Sequence, residues 1–487
     1  MALEPKFHLS GDVRSPRGSG VVSTSATGAD RIEAAVAIRI APTPEFLERV
    51  GRVRTDLVAR AEAAARARSS PLVRALVAGS AARGTFLADR LDIDLFLLFP
   101  PELPRDRLRE EGLALGREIL ADPETRYAEH PYLRGTFEGF QVDAVPGFSI
   151  VDPSQPLSAV DRTPFHQEYL ARRETPALVD QIRLTKQFLR ALGIYGSEAR
   201  TEGMSGYLVE LLTLQFGSLR RLLEAAQAWR IPVRLGAPGT DPPRLPDDVA
   251  LILADPVDPH RNVSSALSRR NLGLLIVAAR EYLARPSERW FEVRPPERVD
   301  RERALARVHS RGSHVVAIEL PRPDRVDDTL YPQIRKAERA VADELARSGF
   351  EVLGSASAAD PARVVLLLEV AHALRSGVRL RAGPPAGIDR VGEFLAKWTE
   401  REAPVLQGPY LRPDGSLGVE TRERERHVEG FLRERLPRLS LGRDLPAGGS
   451  TVRSLADAVD SDGLRDALRE LLGKRLPWLD APDAAST

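Results

Sequence analysis

Apolar positions along this chain follow two periods. From residue 44 onward Phe46, Val50, Val53 and Leu57 recur three or four apart, the spacing of one helix face, after a Thr43-Pro44 pair that offers an N-cap and a proline at the first helical position. A helix toward Arg68 is predicted. Residues 72–78 (LVRALVA) and 92–99 (DIDLFLLF) are instead short apolar runs, closed by Gly79-Ser80 and by Pro100, and read as buried strands. Alternation puts Asp92 and Asp94 on one face of the second strand and Ile93, Leu95 and Leu97 on the other. A helix over 105–120 follows, then a hairpin of 126–133 and 136–145 turning at Gly135. In its second arm Phe140, Val142 and Ala144 share a face, and Asp143 takes the opposite one.

From Thr163-Pro164 to about residue 285 the pattern is mostly helical, including 178–192 and 207–229, with a proline-rich break at 231–246. Beyond it come a strand at 314–320, a helix over 331–348, strands near 351 and over 364–370, a hairpin signal at Asp414-Gly415, and helices to 472. There is no internal repeat. Residues 1–42 are rich in Gly, Ser and Thr and too poor in bulky side chains to bury a core, so a mobile extension is expected, and 476–487 reads as a frayed tail. The class expected is α+β and multidomain, and the 487 residues allow about three domains.

Composition narrows the chemistry. Cysteine is absent, which removes disulfides, thiolate nucleophiles, Cys-ligated zinc and iron–sulfur clusters together. No apolar run approaches the ~20 residues of a membrane span, and the first thirty residues lack the apolar stretch of a secretory signal, so a cytoplasmic protein with no membrane partner is expected. Seventy basic residues against 69 acidic ones give no global pull toward nucleic acid, so any such surface must be local. Only five of the seventy are Lys (Lys6, Lys186, Lys336, Lys397 and Lys474), which makes each of them of more interest where a compact ammonium is wanted, although an ordinary surface role fits any one of them.

Three strand carboxylates, Asp92, Asp94 and Asp143, are hard oxygen ligands of the kind that hold Mg²⁺ near substrate phosphates. Two such ions roughly 3.5–4 Å apart can activate an attacking hydroxyl and stabilise the leaving oxygen of a nucleotidyl displacement. Upstream, Gly79-Ser80 closes a strand and offers backbone N–H groups and a hydroxyl to a triphosphate, with Arg83 one turn on. The spacing GS-x(11)-D-x-D, with a third strand Asp about fifty residues later, resembles the nucleotidyltransferase superfamily of DNA polymerase β and poly(A) polymerase. A calcium loop fails for want of its sixth-position glycine and acidic twelfth ligand, and no P-loop, HExxH or GxSxG motif occurs.

A finer resemblance lies in GSAARGTFLADRLDIDLFLLFP, YAEHPYLRG, VDAVP, VDRTPFH, GIYG, SGYLVELL, DPVDPHRNV and DDTLYPQ, which in this order resemble the archaeal-type, class I CCA-adding tRNA nucleotidyltransferases from about residue 43 to 475. That resemblance implies a catalytic nucleotidyltransferase palm with a mixed sheet over 43–150, a helical neck or central domain over 151–290, and α/β body and tail domains over 291–475 that hold the tRNA acceptor and T arm. It implies a homodimer that adds C, C and A from CTP and ATP with Mg²⁺ and without a template. Asp92, Asp94 and Asp143 would hold the metals, Asp143 also helping to activate the primer hydroxyl. Gly79, Ser80, Arg83, His166, Lys186 and Tyr195 would line the nucleotide, and Arg261 would help select its base. The sequence departs from the family at Asp92, where Glu is usual, and at Ala81, where an aromatic is common.

Two alternatives stay open at this level: another RNA 3′-terminal nucleotidyltransferase of poly(A) type, and a catalytically silent RNA-binding homologue. Three acids converging on one sheet face argue against the silent form, since without a cation they repel. Residues 71–145 carry nine Arg against thirteen Asp and Glu, so a phosphate backbone would be gripped mainly by the later domains, where Arg335, Lys336 and Arg339 either offer it basic charge or form a solvated helix face paired with Glu338. Tyr127, Glu129 and His130 could reach the RNA end or brace the sheet.

Overall fold

The computed structural model describes residues 28–127, 131–236, 239–242, 244–294, 299–400 and 404–479. Tyr127 lies in a strand; its side chain and residues 128–130, hence Glu129 and His130, fall outside the described part. The chain divides into two units, Met1–Arg294 with Leu476–Thr487, and Pro295–Arg475. No described helix is long and apolar enough to cross a membrane.

The first unit opens with α1 (Gly28–Ile40) and α2 (Pro44–Ala67), the latter started by Thr43, whose hydroxyl accepts from Phe46 N at 3.2 Å. Next come β1 (Arg74–Ala78), the short α3 (Gly79–Arg83), β2 (Asp92–Phe99), α4 (Arg105–Ile119), β3 (Ala121–Tyr127), β4 (Pro131–Phe137) and β5 (Phe140–Phe148). The strands form one mixed sheet in the order β1-β2-β5-β4-β3, in which only β2 and β5 run parallel. Ile93, Leu95, Leu97, Val142 and Ala144 bury one face against α2 and α4, in a core with Val50, Val53, Leu57 and Leu115. The two aspartate strands are thus anchored by their alternate residues, and the acids are left on the other face.

The hairpin turns elsewhere than expected. Glu138 and Gly139 hold φ of 49° and 81° and join β4 to β5 as a two-residue turn. Gly135 sits inside β4, where a Cβ would come within 2.8 Å of the Ala121 carbonyl oxygen, so its lack of a side chain serves close approach. The strand that approaches it, β3, took in residues 121–125 that the apolar pattern did not mark.

Helical elements follow: a 3₁₀ turn (Ala159–Arg162), α5 (Thr163–Ala171), α6 (Pro176–Ala191), α7 (Gly206–Phe216), α8 (Leu219–Ala226) and α9 (Arg269–Ala284), with a two-stranded parallel pair β6 (Val233–Leu235) and β7 (Leu251–Leu253). The apolar stretch 207–229 is broken by Gly217 at φ 81° and recapped by Ser218. A second core gathers Phe188, Tyr282, Trp290 and Phe291 with the leucines of α6 to α9. Two segments expected to be loose belong to it. In α1, Ile32, Val36 and Ile40 recur every four residues, and Val36 is fully buried; near the other end Trp478 packs on Trp290 at 4.9 Å between ring centroids.

In the second unit α10 (Arg301–Arg311), β8 (His314–Pro321), α11 (Asp327–Arg347), β9 (Val352–Ala359) and β10 (Arg363–Val370) are followed by β11 (Val378–Pro385), α12 (Val391–Thr399), β12 (Val405–Leu411) and β13 (Ser416–Arg422). It closes with α13 (Val428–Arg435), β14 (Thr451–Ser454) and α14 (Asp462–Leu472). One antiparallel sheet runs β14-β8-β10-β9 and a smaller one β11-β13-β12. Central β10 is buried on both faces: Val365 and Leu367 meet α10 and α14, while Val364, Leu366 and Leu368 point to the face where α11 packs. On α11 Lys336 and Arg339 are exposed, whereas Glu338 accepts from Ser355 and Ser357 of β9 at 2.6 and 2.5 Å.

Candidate active site

Parallel pairing of β2 with β5 sets Asp94 directly beside Asp143, and antiparallel pairing sets Ala78 at the end of β1 beside Asp94. Gly79 then turns away at φ 70°, and a Cβ there would lie 2.7 Å from Asp94 Oδ2. Only glycine lets the chain pass so close to that carboxylate. Asp92, Asp94 and Asp143 all line one cavity of about 240 Å³, together with Ser80, Arg90 and Tyr195.

Three acids in a small space show the expected strain. Burial, then the negative charges of Asp143 and Asp92, push the Asp94 carboxyl up to about 7, partly offset by Arg134. Arg134, opposite Asp143 on β4, donates from Nε and Nη2 to its two oxygens at 2.7 Å each. Among the described residues no three His, Asp or Glu side chains form a finished metal cage, as expected where one carboxylate is occupied by a guanidinium. The donor set nevertheless fits a divalent cation: hard oxygens, excess negative charge, and one member whose ionisation is opposed by burial and by its acidic neighbours.

A second cavity of about 360 Å³ shares Ser80, Asp94 and Tyr195 with the first and adds Gly79, Arg83, His166 and Lys186. Nine of the ten residues singled out from sequence therefore line these two neighbouring spaces. The tenth, Arg261, lines a separate cavity of about 480 Å³ with Arg244, His260 and Arg269.

Carboxylates that sequence reasoning passed over hold the cations here. Glu210 of α7, 2% exposed, takes Lys186 Nζ at 2.8 Å, Thr85 Oγ1 at 2.6 Å and Arg83 Nη2. Lys186, 1% exposed, also donates to Thr85 O at 3.0 Å and reaches Thr85 Oγ1 at 3.2 Å, so its donors are engaged within the protein. Arg83 also pairs with Glu174 at 3.2 Å and bonds Gln167. Burial alone would raise the Glu210 carboxyl, but Lys186 and Arg83 outweigh it and hold the group at about 2.

Asp255, buried after β7, has a similar place on the other side. Its Oδ2 accepts from His166 Nε2 at 2.7 Å and Arg261 Nη1 at 2.8 Å; its Oδ1 accepts from the Tyr207 hydroxyl at 3.0 Å and Val257 N at 3.1 Å. Burial opposes ionisation of Asp255, yet His166, the Val257 N–H and Arg261 together hold it below the usual carboxylate range. Tyr207, stacked on His166 at 4.0 Å, is pushed far up by burial and the Asp255 charge and remains a donor. Both acids left a trace: Glu210 is the lone charge in the apolar run GYLVELLTL, and Asp255 opens the repeated Asp-Pro of DPVDP.

A strand pair bearing three acids beside a Gly-Ser turn and a cation-lined cavity is the layout of a nucleotidyltransferase. Three family models match: the nucleotidyltransferase domain over 58–166, the second domain of tRNA nucleotidyltransferases over 180–292, and the C-terminal domain of CCA-adding enzymes over 311–448. The CCA-adding enzyme of Haloarcula marismortui is 39% identical over 420 residues, 83% of this chain and 88% of that one. Those of Halorubrum lacusprofundi and Methanosarcina mazei are 40% and 34% identical, over 81% and 87% of this chain and 88% and 93% of theirs. This chain belongs to the archaeal-type CCA-adding tRNA nucleotidyltransferases.

Proposed function

We propose that this enzyme rebuilds the 3′ end of tRNA by adding C, C and A from CTP and ATP, releasing pyrophosphate at each step and using no nucleic-acid template. The observation that carries the site assignment is the shared cavity of Asp92, Asp94 and Asp143, opening beside the cation-lined space of Ser80, Arg83 and His166. The three aspartates hold the divalent metal of the reaction, which is Mg²⁺ in this reading. When bound, the metal activates the primer hydroxyl and neutralises charge on the transferred phosphate and leaving pyrophosphate.

The chain's own groups do the rest. Ser80 offers a hydroxyl to the triphosphate, and Tyr195 closes the space above it. Arg83 and Lys186 supply positive charge held in place by Glu210. Asp255, bonded to His166 Nε2, fixes the imidazole ring where it lines the cavity. Arg261 reads the base. Residues 43–150 act as the palm, 151–290 as the neck, and 291–475 as the body and tail that grip the acceptor and T arm, in a cytoplasmic homodimer.

The test is to incubate the protein with Mg²⁺, CTP, ATP and a tRNA transcript lacking its last three nucleotides, reading product length and sequence at single-nucleotide resolution. Growth by C, C and A followed by a stop is expected. Long A tails or a single addition would place the enzyme among other RNA tailing enzymes, and no extension despite tRNA binding would make it a silent RNA-binding form.

A further inference from the structure

The acids of the triad line the candidate metal site, whereas Asp255 lies outside that lining and acts only through the side chains it holds. Its chain segment explains why it is where it is. The loop after β7 is closed by the Ala254–Asn262 bridge and by Asp255 N donating to Arg261 O at 2.9 Å. It carries two Asp-Pro pairs, and each Asp accepts the N–H two residues on: Asp255 from Val257 at 3.1 Å, Asp258 from His260 at 3.1 Å. Each also holds a side chain from the helical segment around α5. Asp258 holds Arg162 at 2.8 Å, and Asp255 holds His166, one turn later. The loop is therefore clamped at two successive turns by chemically similar contacts.

The two clamps differ in what else they hold. Asp258 binds a scaffold arginine. Asp255 binds His166, which lines the cavity beside the triad, and Arg261, which lines the separate cavity. All four lone-pair positions of its carboxylate are filled by donors, so neither partner can move without leaving a buried charge short of a hydrogen bond.

We propose that Asp255 is a positioning residue that locks His166, at the phosphate end of the nucleotide, to Arg261, at its base end, so that both ends are read as one rigid unit. This rests on the nucleotide roles given above to His166 and Arg261. Replacing Asp255 by Asn keeps the shape but turns one acceptor oxygen into a donor group, which frees one or both partners.

The test uses the full chain and compares Asp255→Asn with Asp258→Asn, which loosens the same loop without touching either nucleotide contact. KM for CTP on tRNA lacking CCA, and for ATP on tRNA ending in CC, should each rise about tenfold in D255N with kcat changed less than about threefold, and ATP should enter at C positions more often. D258N should leave KM within about twofold and fidelity unchanged. In the double variant D255N/R261A, KM should rise by less than the product of the two single effects, since part of the Asp255 effect acts through Arg261. Wild-type KM in D255N, equal effects in D258N, or additive effects in the double variant would each overturn the proposal. Should D255N fail to fold, a cycle of His166→Asn and Arg261→Ala decides it by equilibrium binding of CTP without tRNA: coupling of at least about threefold supports the lock, and strict additivity overturns it. Because CTP binding needs no RNA extension, a wild type that binds CTP but never completes CCA defeats the proposed function while the same cycle still scores the lock.

Discussion

Two groups of carboxylates lie within the first unit, and they are electrostatic opposites. On β2 and β5, Asp92, Asp94 and Asp143 line one cavity, Arg134 is paired to Asp143, and Asp94 is driven up to about 7. Below α6 and α7, Glu210 is surrounded by Lys186, Arg83 and Thr85 and is held at about 2. The chemical group is the same; the count of cations around it differs. Where acids outnumber cations an added cation is electrostatically favoured, and where cations saturate the acid the charges are already balanced and the cations are fixed in place.

The comparison breaks most sharply if the first group works without its charge. Asp92→Ala and Asp94→Ala should each lower nucleotide incorporation by at least ~10³-fold, since removing a ligand removes the metal's share of catalysis, while tRNA binding by filter or mobility shift stays near wild type. A thermal-melt companion separates charge from shape. Mg²⁺ should raise the melting temperature of the wild type, because a ligand that binds only the folded state stabilises it, and should raise that of D94N much less. A D94A variant that polymerises at the normal rate would remove the metal assignment.

The second group should fail differently, through the fold before the chemistry. Glu210→Ala leaves Lys186 and Arg83 buried with too few counter-charges, so a loss of about 3–5 kcal/mol in denaturant unfolding is expected. The pH dependence has a definite sign. The folded pKa of Glu210 lies below the 4.5 of a free glutamate, so its stabilisation is complete above about 4.5 and is lost as pH falls toward 2. The stability gap between wild type and Glu210→Gln should therefore narrow on acidification from neutral pH into that window. A constant gap would mean that Glu210 acts by packing alone.

The two groups were also unequally legible. Asp92, Asp94 and Asp143 could be placed from the sequence because period-two alternation reports which face a strand residue takes, and the flanking Ile93, Leu95, Val142 and Ala144 declare the core. Glu210 and Asp255 have no such local rule. What defines them is a partner 24 to 125 residues away, such as Lys186 or Thr85 for Glu210, and 89 residues away for the His166 contact of Asp255. The cations were foreseen through the family resemblance, but the acids that hold them were not. The hairpin turn was misplaced for a related reason: Gly135 and Gly139 look alike in sequence, and only the neighbouring β3 backbone distinguishes close approach from a turn.

A third buried acid refines the comparison with the smallest effect. Glu33 of α1, in a segment whose Gly/Ser/Thr-rich surroundings suggested a mobile extension, accepts from the Tyr282 hydroxyl at 2.8 Å and from Arg220 Nε at 3.1 Å. It is saturated as Glu210 is, but of its partners Tyr282 belongs to the aromatic core around Phe188 and Trp290, and neither Tyr282 nor Arg220 lines either candidate cavity. Glu33→Ala should cost about 1–3 kcal/mol of stability, the penalty of leaving the buried Tyr282 hydroxyl without its acceptor, and should leave KM for CTP and ATP unchanged at temperatures where the variant is folded. If Glu33→Ala altered nucleotide selection as Asp255→Asn is expected to, saturation of a buried acid anywhere in this unit would suffice to perturb the site. If it changes stability alone, the effect of an acid on catalysis depends on which cation it holds, and the device shared by Glu33, Glu210 and Asp255 becomes functional only where the held side chain meets the nucleotide.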